Sequence, residues 1–583
     1  MYNVVLNENN FPREVKQADF CVVGGGMAGV CASIAAARRG LKTILIQDRS
    51  VLGGNASSEI RMWICGARGA DNKEAGILEE IMLRNIYYNS EMKYTLWDDV
   101  LYGICREEEN LEVIYSCSVN EVKTEGSKIR SVAAWHLTRQ CWVEVQADFF
   151  ADCSGDSVLR ISGAETRHGR EARGEFDESH APEQADDKTM GSSILMQLRE
   201  VPGHKEPFVA PPWARKFKRE ELESRNLTPK HNNFWWLEFG GLMDTLDDAD
   251  DIRDEAMSIA YGVWGMMKND PSGICDNWTL EWVGSLPGKR ENIRYVGDHL
   301  LTQNDLEKEG RFDDRVCHGG WEMDDHHPDA IAYRGFPTIF HETPHCYGIP
   351  YRSLYSKDIS NLFFAGRNIS ATHMAMSSTR VMGTTAVMGQ AVGAAAALAF
   401  KEKTDCRGVY ENHIAELQRQ LIEDDQYIPW KTQALSALKI GGELTSSCDK
   451  ADPLLNELER DLEGRDNGLW LKSDDSVTWS FAKVQSGGVI RLLGDSDFSR
   501  KKRMPCSDTL EDEKAKMPGQ LIKSFELDLS DENGAVVETI KLELNFKRLI
   551  KIPLNTSYSK ITLKNVVGWS GEAHIFSFDI LSV

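Results

Sequence analysis

The segment ADFCVVGGGMAG, residues 18–29, joins an apolar run to the glycine pattern Gly-x-Gly-x-x-Gly. The apolar half predicts a buried strand, and the small residues from Ala28 to Arg39 predict a helix that ends before Gly40. Residues 42–46 then predict a second strand. A strand, a glycine turn, a helix and a second strand in this order are typical of a Rossmann-like dinucleotide-binding fold.

Each glycine of the pattern has its own expected role. Gly24 permits the tight turn, Gly26 lets the backbone approach a pyrophosphate, and Gly29 lets the helix pack closely against the strand. The start of the helix, at Met27 and Ala28, offers N–H groups and the positive end of the helix dipole to the phosphates. The segment therefore predicts a site for a diphosphate.

The end of the second strand is expected to supply the ligand for a ribose. It reads Gln47-Asp48, at the distance from the glycines where dinucleotide-binding folds carry an acidic residue. Either side chain can accept hydrogen bonds from ribose hydroxyl groups. Both are therefore candidates.

Three further segments resemble the signatures of glutathione-reductase-like flavoproteins. Residues 51–55, VLGGN, resemble the loop that wraps the FAD diphosphate, and residues 150–156, FADCSGD, resemble the second signature of these proteins. Residues 361–368, NLFFAGRN, resemble the late strand that reaches the ribityl chain and the pyrophosphate. A helix of small residues follows, and its start at residues 381–384 is placed to meet the flavin with its positive dipole end.

More narrowly, residues 47–49, 53–59 and 370–373 resemble a bacterial group of FAD-dependent oxidoreductases of mostly unassigned substrate. The resemblance implies FAD as the cofactor and a substrate domain that interrupts the FAD domain. Arg367 stands where many relatives carry an aspartate, so the ribityl contact is expected to fall on Asp156 or on a backbone group. The predicted cofactor-binding residues are Gly24, Gly26, Met27, Ala28, Gly29, Gln47, Asp48, Arg49, Gly53, Gly54, Asn55, Ser57, Ser58, Val119, Ser154, Gly155, Asp156, Gly366, Arg367, Val381, Met382, Gly383 and Thr384.

The distribution of residue types along the chain predicts an α/β fold with several domains. Residues 1–165 and 348–405 form the Rossmann-like FAD-binding domain, and residues 166–347 form an α+β substrate domain between them. Residues 406–451 are a helical connection. In residues 452–583 apolar and polar positions alternate, which predicts a C-terminal all-β sandwich resembling galactose-binding-like modules.

Composition excludes several classes of function. A formal net charge of −23 makes nucleic acid and anionic membranes poor partners. The 13 cysteines include no Cys-x-x-Cys pair, which favours free thiols in a cytoplasmic protein over a disulfide framework or a zinc ribbon. Residues 324–327, DDHH, are interpreted as a turn with solvated charges, so no metal is expected. A homo-oligomer is left open.

Histidines are the first candidates for proton transfer near neutral pH. His373 lies between two segments that are predicted to contact the flavin and is the leading candidate for the catalytic base. The alternatives are His341 and His345, and Arg290 and Arg61 are candidates for orienting an anionic or polyhydroxyl substrate.

Seven tryptophans in the interrupting segment suggest a carbohydrate or an aromatic glycoside as the small-molecule substrate, although most single tryptophans are expected to belong to the core. The leading hypothesis is oxidation of a C–H bond at a carbinol carbon of a sugar or glycoside by hydride transfer to the flavin. The alternatives are flavin-dependent reduction of an activated double bond and a non-catalytic carbohydrate-binding protein. No second Gly-x-Gly-x-x-Gly pattern follows a strand downstream, so no second dinucleotide-binding module is expected. The sequence does not identify the electron acceptor.

Overall fold

The computed structural model describes residues 11–448, 450–462, 464–465, 467–500, 504–510 and 513–581. Its first part contains β1 (Arg13–Val23), α1 (Met27–Arg38), β2 (Thr43–Ile46), α2 (Ile77–Tyr88), α3 (Tyr94–Arg106), β3 (Leu111–Ile114), β4 (Cys117–Glu125), β5 (Lys128–His136), β6 (Cys141–Asp152) and β7 (Thr166–Arg167). The middle part contains α4 (Arg173–Phe176), β8 (Ser192–Ser193), β9 (Met196–Glu200), β10 (Glu238–Phe239), α5 (Ala249–Lys268), β11 (Trp278–Val283), β12 (Arg294–Tyr295), α6 (Gln303–Glu307), β13 (Arg315–Gly319), β14 (Met323–His326), β15 (Thr338–His341) and β16 (Tyr347–Pro350). The last part contains β17 (Leu362–Phe364), α7 (His373–Thr379), α8 (Met382–Glu402), α9 (Cys406–Glu423), α10 (Ser436–Lys439), β18 (Gly442–Ser446), β19 (Leu469–Leu471), β20 (Ser476–Gln485), β21 (Val489–Gly494), β22 (Ile522–Ser530), β23 (Val536–Leu542), β24 (Leu549–Pro553), β25 (Tyr558–Gly568) and β26 (Ala573–Leu581).

The chain forms two compact units. Of the residues that the structure describes, the first contains those within 11–67, 93–417 and 504–513, and the second contains those within 68–92, 418–500 and 514–581. Residues 68–92 were predicted to belong to the FAD-binding domain and residues 406–451 to a helical connection; of the described residues, 68–92 and 418–448 lie in the second unit and 504–510 in the first. All 13 cysteines are free thiols.

A seven-stranded mixed sheet is the centre of the first unit. Its strand order is β3-β2-β1-β6-β5-β4, and β17 also pairs with β6. β1 runs parallel to β2 and β6, and β17 runs parallel to β6, whereas β5 is antiparallel to β6. This is the Rossmann-like sheet that the glycine pattern predicted, extended by an antiparallel hairpin.

The register of the parallel strands brings their carboxyl ends to one edge of the sheet. Val23 of β1 lies opposite Ile46 of β2 and opposite Asp152 of β6, and Asp152 lies opposite Phe364 of β17. The loops that follow these strands therefore begin side by side. Ligands of open α/β sheets bind at this edge.

Helices α1 and α8 cover this sheet and cross at very short range. A Cβ at Gly389 would lie 2.0 Å from the carbonyl oxygen of Ala28, and one at Gly393 would lie 2.1 Å from that of Ala32. Only glycine fits at these two crossing points. α8 is long and apolar enough to cross a membrane by length and composition, but 94% of its apolar window is buried inside the protein.

The segment between β7 and β16 is built from short antiparallel strand pairs and the long helix α5. The pairs are β7 with β12, β8 with β10, β9 with β11, β13 with β16, and β14 with β15. α5 buries Trp264 in an apolar cluster that also contains Trp236 and Trp278. These three tryptophans are therefore core residues and not part of a binding surface.

The second unit is a β-sandwich, as the alternating pattern predicted. A five-stranded sheet has the order β18-β20-β25-β22-β23, and a four-stranded sheet has the order β19-β26-β21-β24. All their pairs are antiparallel, and both sheets contribute to one apolar core around Trp479. Helix α2 belongs to this unit, where Tyr87 stacks on Phe546 with ring centroids 4.7 Å apart.

Candidate active site

A cavity of about 620 Å³ opens at the edge of the sheet where the parallel strands end. The loops after β1, β2, β6 and β17, the start of α8, residues 286–290 and the hairpin of β14 and β15 form its walls. The predicted cofactor-binding residues that line it are Gly24, Gly26, Met27, Ala28, Gln47, Asp48, Arg49, Gly53, Gly54, Asn55, Val119, Ser154, Gly155, Asp156, Gly366, Arg367, Val381 and Met382.

Five of the predicted cofactor-binding residues lie behind the wall of the cavity. Gly29 packs α1 against the glycine loop, since a Cβ there would lie 1.8 Å from the carbonyl oxygen of Gly24. Gly383 donates its N–H to the carbonyl of Cys65 at 2.7 Å. The others, which are buried or half-buried beside the lining residues, are Ser57, Ser58 and Thr384.

The glycine loop has the geometry that a diphosphate requires. Gly24 has φ +98°, and a Cβ there would lie 2.5 Å from the backbone of Ser154. Gly26 has φ −67°, which any residue can adopt, and a Cβ there would meet no atom within 4 Å. The space in front of Gly26 is therefore empty of protein, and α1 begins directly behind it, so a phosphate group fits there.

The two candidate ribose ligands differ in how firmly they are held. Gln47 is buried, accepts a hydrogen bond from the Gly25 N–H at 2.7 Å and donates one to the carbonyl of Val51 at 2.9 Å. It therefore braces the glycine loop against the loop after β2. The side chain of Asp48 is 64% exposed at the cavity, where its Oδ1 lies 3.9 Å from Nε of Arg49. Gln47 is thus the buried candidate and Asp48 the exposed one.

Asp156 is held between two cations. Its Oδ1 lies 2.7 Å from Nη2 of Arg367, and its Oδ2 lies 3.0 Å from Nζ of Lys289. Burial by itself would raise the pKa of this carboxyl, but Arg367 and Lys289 outweigh burial and hold the pKa below its ordinary value. Because both oxygens are engaged, Asp156 is less suited to the predicted ribityl contact. The sequence analysis did not identify Lys289.

Among the five predicted catalytic residues, all of which the structure describes, only Arg290 lines the cavity. Its guanidinium is buried and donates to the carbonyls of Gly191 and Trp235, both at 2.8 Å, and to Oγ of Ser193 at 2.8 Å. Because these N–H groups are already hydrogen-bonded within the protein, Arg290 holds the cavity wall in its shape. Direct orientation of a substrate by Arg290, as predicted, is therefore not its main role.

Three other predicted residues lie away from the cavity. Arg61 donates to Oε1 of Gln197 at 2.6 Å and lies 4.3 Å from the ring centroid of Trp282. The ring of His341 stacks on that of His180 at 3.7 Å, and burial lowers the pKa of His341. His345 is exposed. None of the three is placed to contact a substrate in the cavity.

The structure argues against His373 as a base. His373 begins α7 and is buried, with Nδ1 2.9 Å from Oε1 of Glu291 and Nε2 3.2 Å from Oδ1 of Asp325. Burial by itself would lower the pKa of His373, but these two carboxylates raise it to about 10. The ring is therefore protonated at neutral pH, and it lies outside the cavity lining. These partners come from other segments of the chain, so the sequence alone did not show them.

We expect His373→Ala to lower the free energy of unfolding by about 3–5 kcal/mol, since removing one partner leaves buried carboxylates uncompensated. Chemical denaturation at pH 7 measures this loss, and His373→Gln tests whether a neutral hydrogen-bonding side chain restores it. A loss below about 1 kcal/mol for His373→Ala would contradict a structural role.

The stabilisation by His373 should also depend on pH. Its pKa is about 10 in the folded protein and about 6.5 in the unfolded chain. A group whose pKa is raised by folding stabilises the fold fully at a pH below its pKa in the unfolded chain. This stabilisation disappears as the pH rises through its pKa in the folded protein. The difference in the free energy of unfolding between wild type and His373→Ala should therefore shrink from neutral pH towards pH 10. The other charged groups around His373, which are present in both proteins, are Glu171, Glu178, Glu291, Arg294 and Asp325.

The histidine that does line the cavity is His326, on strand β14. Alternation along the hairpin places Asp324, His326, Thr338 and Phe340 on its cavity face, with Phe340 directly opposite Asp324. Nδ1 of His326 lies 2.7 Å from Oε2 of Glu238, and Nε2 lies 3.3 Å from Oδ1 of Asp324. The ring is buried. The segment predicted as a solvated turn thus belongs, up to His326, to strand β14, in which Asp324 and Asp325 are half-buried.

Charges of both signs surround His326. Arg290 lies 3.5 Å from Glu238, and Arg380 lies 3.3 Å from Asp324. Burial would raise the pKa of Glu238, but Arg290 and His326 outweigh it and hold the pKa below its ordinary value. For Asp324, His326 and Arg380 outweigh burial in the same way. Both carboxyls are therefore ionised at neutral pH.

Aromatic rings complete this part of the cavity. The ring of Trp235 meets that of His326 edge-on, with centroids 5.2 Å apart. Trp321 and Phe340 also line the cavity, and Phe340 is partly exposed. We call this group the aromatic wall, formed by Trp235, Trp321, Asp324, His326, Phe340 and Arg380. The spacing of Asp324 and His326, two residues apart in a short strand, was the only sequence signal for it.

In the described part of the chain, no group of three or more His, Cys, Asp and Glu side chains is arranged to hold a metal ion. The cavity combines a diphosphate site, at the carboxyl edge of a Rossmann-like sheet, with an aromatic and charged wall. That combination is typical of a protein that binds a dinucleotide cofactor.

The comparisons with known proteins agree with this class. The model of the FAD dependent oxidoreductase family matches residues 19–421, so the chain belongs to that family. The protein is therefore an FAD-dependent oxidoreductase, and the empty space at Gly26 fits the FAD diphosphate. A comparison with curated proteins found no match.

Several solved structures are similar in part. A geranylgeranyl bacteriochlorophyll reductase-like protein from Thermoplasma acidophilum is 13% identical, with 71% of this chain and 84% of that chain covered and a TM-score of 0.32. E. coli quinol fumarate reductase is 11% identical, with 70% and 75% covered and a TM-score of 0.25. The family 32 carbohydrate-binding module of EndoD from Streptococcus pneumoniae is 14% identical, with 24% and 97% covered and a TM-score of 0.19. These scores are too low to support an argument about substrate.

Proposed function

We propose that the protein oxidises a carbinol carbon of a sugar or glycoside that binds against the aromatic wall. The observation that carries the proposal is the position of His326, a buried histidine in the cavity wall between two carboxylates and beside aromatic rings. When bound, FAD supplies the acceptor for a hydride. The chain must then supply a group that removes the hydroxyl proton.

His326 is suited to that task. The carboxylate of Glu238 at 2.7 Å orients the ring through Nδ1, and Nε2, whose contact with Asp324 is longer at 3.3 Å, is the nitrogen that we propose takes the proton. Asp324, next to Nε2, stabilises the positive charge that the ring then carries. This arrangement replaces the base that the sequence analysis placed at His373.

The rest of the aromatic wall fits a polyhydroxyl compound. Trp235, Trp321 and Phe340 offer apolar faces for the C–H face of a sugar ring or for an aromatic aglycone. Arg380 and Asp324 offer a hydrogen-bond donor and an acceptor for hydroxyl groups. Cations and carboxylates are balanced in this wall, which favours a neutral substrate.

Reduction of an activated double bond is a second candidate. The observation that favours it is the guanidinium group of Arg380 in the aromatic wall. Guanidinium groups can polarise a carbonyl or bind a carboxylate conjugated to the double bond. The reducing equivalents would then come from a partner protein or a soluble donor.

Anaerobic mixing of the holoprotein with a panel of sugars, alkyl glycosides and aryl glycosides tests the proposal. We expect at least one of them to bleach the visible absorbance of the flavin. The matched control is the same compound with the reacting hydroxyl replaced by hydrogen, which should leave the absorbance unchanged. If no hydroxyl compound bleaches the flavin, and the chemically reduced protein is reoxidised by conjugated enoates, the second candidate replaces the first.

A further inference from the structure

We propose that Lys289 and Arg367, joined through Asp156, form a cationic clamp on the diphosphate of FAD. We further propose that the substrate segment thereby helps to retain the cofactor. The proposal rests on FAD binding, which the family establishes, and is independent of the substrate. Lys289 lies in the interrupting segment, whereas Asp156 and Arg367 lie in loops of the Rossmann-like sheet. The cofactor site would thus be completed by a residue from outside the Rossmann-like part.

The geometry of the clamp is rigid at its centre. Each oxygen of Asp156 binds one cation, Arg367 at 2.7 Å and Lys289 at 3.0 Å. The guanidinium of Arg367 also lies flat against Gly155, where a Cβ would be 2.7 Å from Cζ of Arg367. Asp156 therefore holds the two cations side by side at the wall of the cavity.

The clamp lies next to the glycine loop. The side-chain amide of Asn55 donates a hydrogen bond to the backbone carbonyl of Lys289 at 2.9 Å. The neighbouring Gly54 lies close to Gly26, since a Cβ added to Gly54 would be 3.1 Å from Cα of Gly26. On the other side, Gly24 packs against Ser154, two residues before Asp156. The loops that carry the cations thus meet the glycine loop, and Gly26, Lys289 and Arg367 line the same cavity.

The charges and the donors of the clamp fit a diphosphate. Two cations and one carboxylate leave a net charge of +1, whereas the nearby Arg49 is paired with Glu59 at 3.2 Å. In the described part of the chain, Nε of Arg367 is buried and has no hydrogen-bond partner. A donor that is buried without a partner is costly, and a phosphate oxygen would satisfy it.

Lys289 also connects the two ends of the cavity. The next residue, Arg290, lies 3.5 Å from Glu238, the carboxylate that orients His326. Residues 286–290 therefore contact the cofactor end through Lys289 and the aromatic wall through Arg290. A displacement of residues 286–290 would therefore weaken the contacts at the cofactor end and at the aromatic wall together.

Titration of the apoprotein with FAD, followed by quenching of flavin fluorescence, tests the clamp without measuring activity. We expect Lys289→Gln to raise the Kd for FAD about tenfold, since one charge-assisted contact is lost. We expect its Kd to depend less steeply on salt concentration than that of the wild type. Lys289→Arg, which retains the charge, should stay close to wild type in both measurements.

The matched control is Lys205→Gln, which removes an exposed lysine of the same unit that pairs with Asp276. It should leave the Kd and its salt dependence unchanged. An unchanged Kd in Lys289→Gln would overturn the proposal. So would a raised Kd with the salt dependence of the wild type, because that result would indicate a loss of shape and not of charge. Thermal unfolding of the apoproteins verifies that each variant is folded.

Discussion

Gly26→Val is expected to give a folded protein that purifies without FAD. Gly26 has an ordinary φ of −67°, and an added Cβ meets no protein atom within 4 Å, so valine is not expected to strain the fold. The side chain instead enters the space that the FAD diphosphate needs. An overpacking cost of about 3 kcal/mol at this point corresponds to a loss of affinity of more than a hundredfold.

The absorbance spectrum of the purified protein and a fluorescence titration with FAD measure this effect. The control is Gly103→Val, at a position in α3 where an added Cβ also meets no atom, and that variant should keep its flavin. Gly29→Val is unsuitable as a test, because its Cβ would collide with the backbone of Gly24 and damage the fold itself. Stoichiometric FAD in Gly26→Val would show that the diphosphate lies elsewhere.

His326→Gln is expected to slow reduction of the flavin by substrate by a factor on the order of 10²–10⁴, the usual contribution of a general base. Glutamine can keep a hydrogen bond to Glu238 but cannot take a proton, so the cavity should keep its shape and its FAD. Stopped-flow measurement of flavin bleaching, with a sugar or glycoside found in the panel, gives the rate directly.

His327→Gln is the matched control for this experiment. His327 is the next residue in the chain, but its ring stacks on Tyr333 at 3.7 Å and does not line the cavity. Its substitution should leave the rate within about twofold of wild type, as is usual for partly exposed residues that do not touch the substrate. Equal rates for both variants and the wild type would remove His326 from the mechanism and leave the base unassigned.

The diphosphate site could be predicted from sequence because its determinants are local. Gly24, Gly26 and Gly29 lie within one turn and the start of one helix, so their spacing alone specifies the loop. The period-two pattern of β22 likewise predicted the antiparallel sandwich, since alternation within a single strand reports which face is buried. The cofactor followed from the order of the later segments that resemble flavoprotein signatures, and family membership confirmed it.

The aromatic wall was decided by the tertiary structure. His326 and Glu238 are 88 residues apart in the chain, and they meet because β10 and β14 are brought together in the first unit. His373 appeared suited to catalysis because it precedes the α8 signature, yet Glu291 and Asp325, from two other segments, raise its pKa to about 10 and remove it from that role. A short motif determines a backbone conformation, whereas the protonation state and the exposure of a side chain depend on partners that only folding brings within hydrogen-bonding distance.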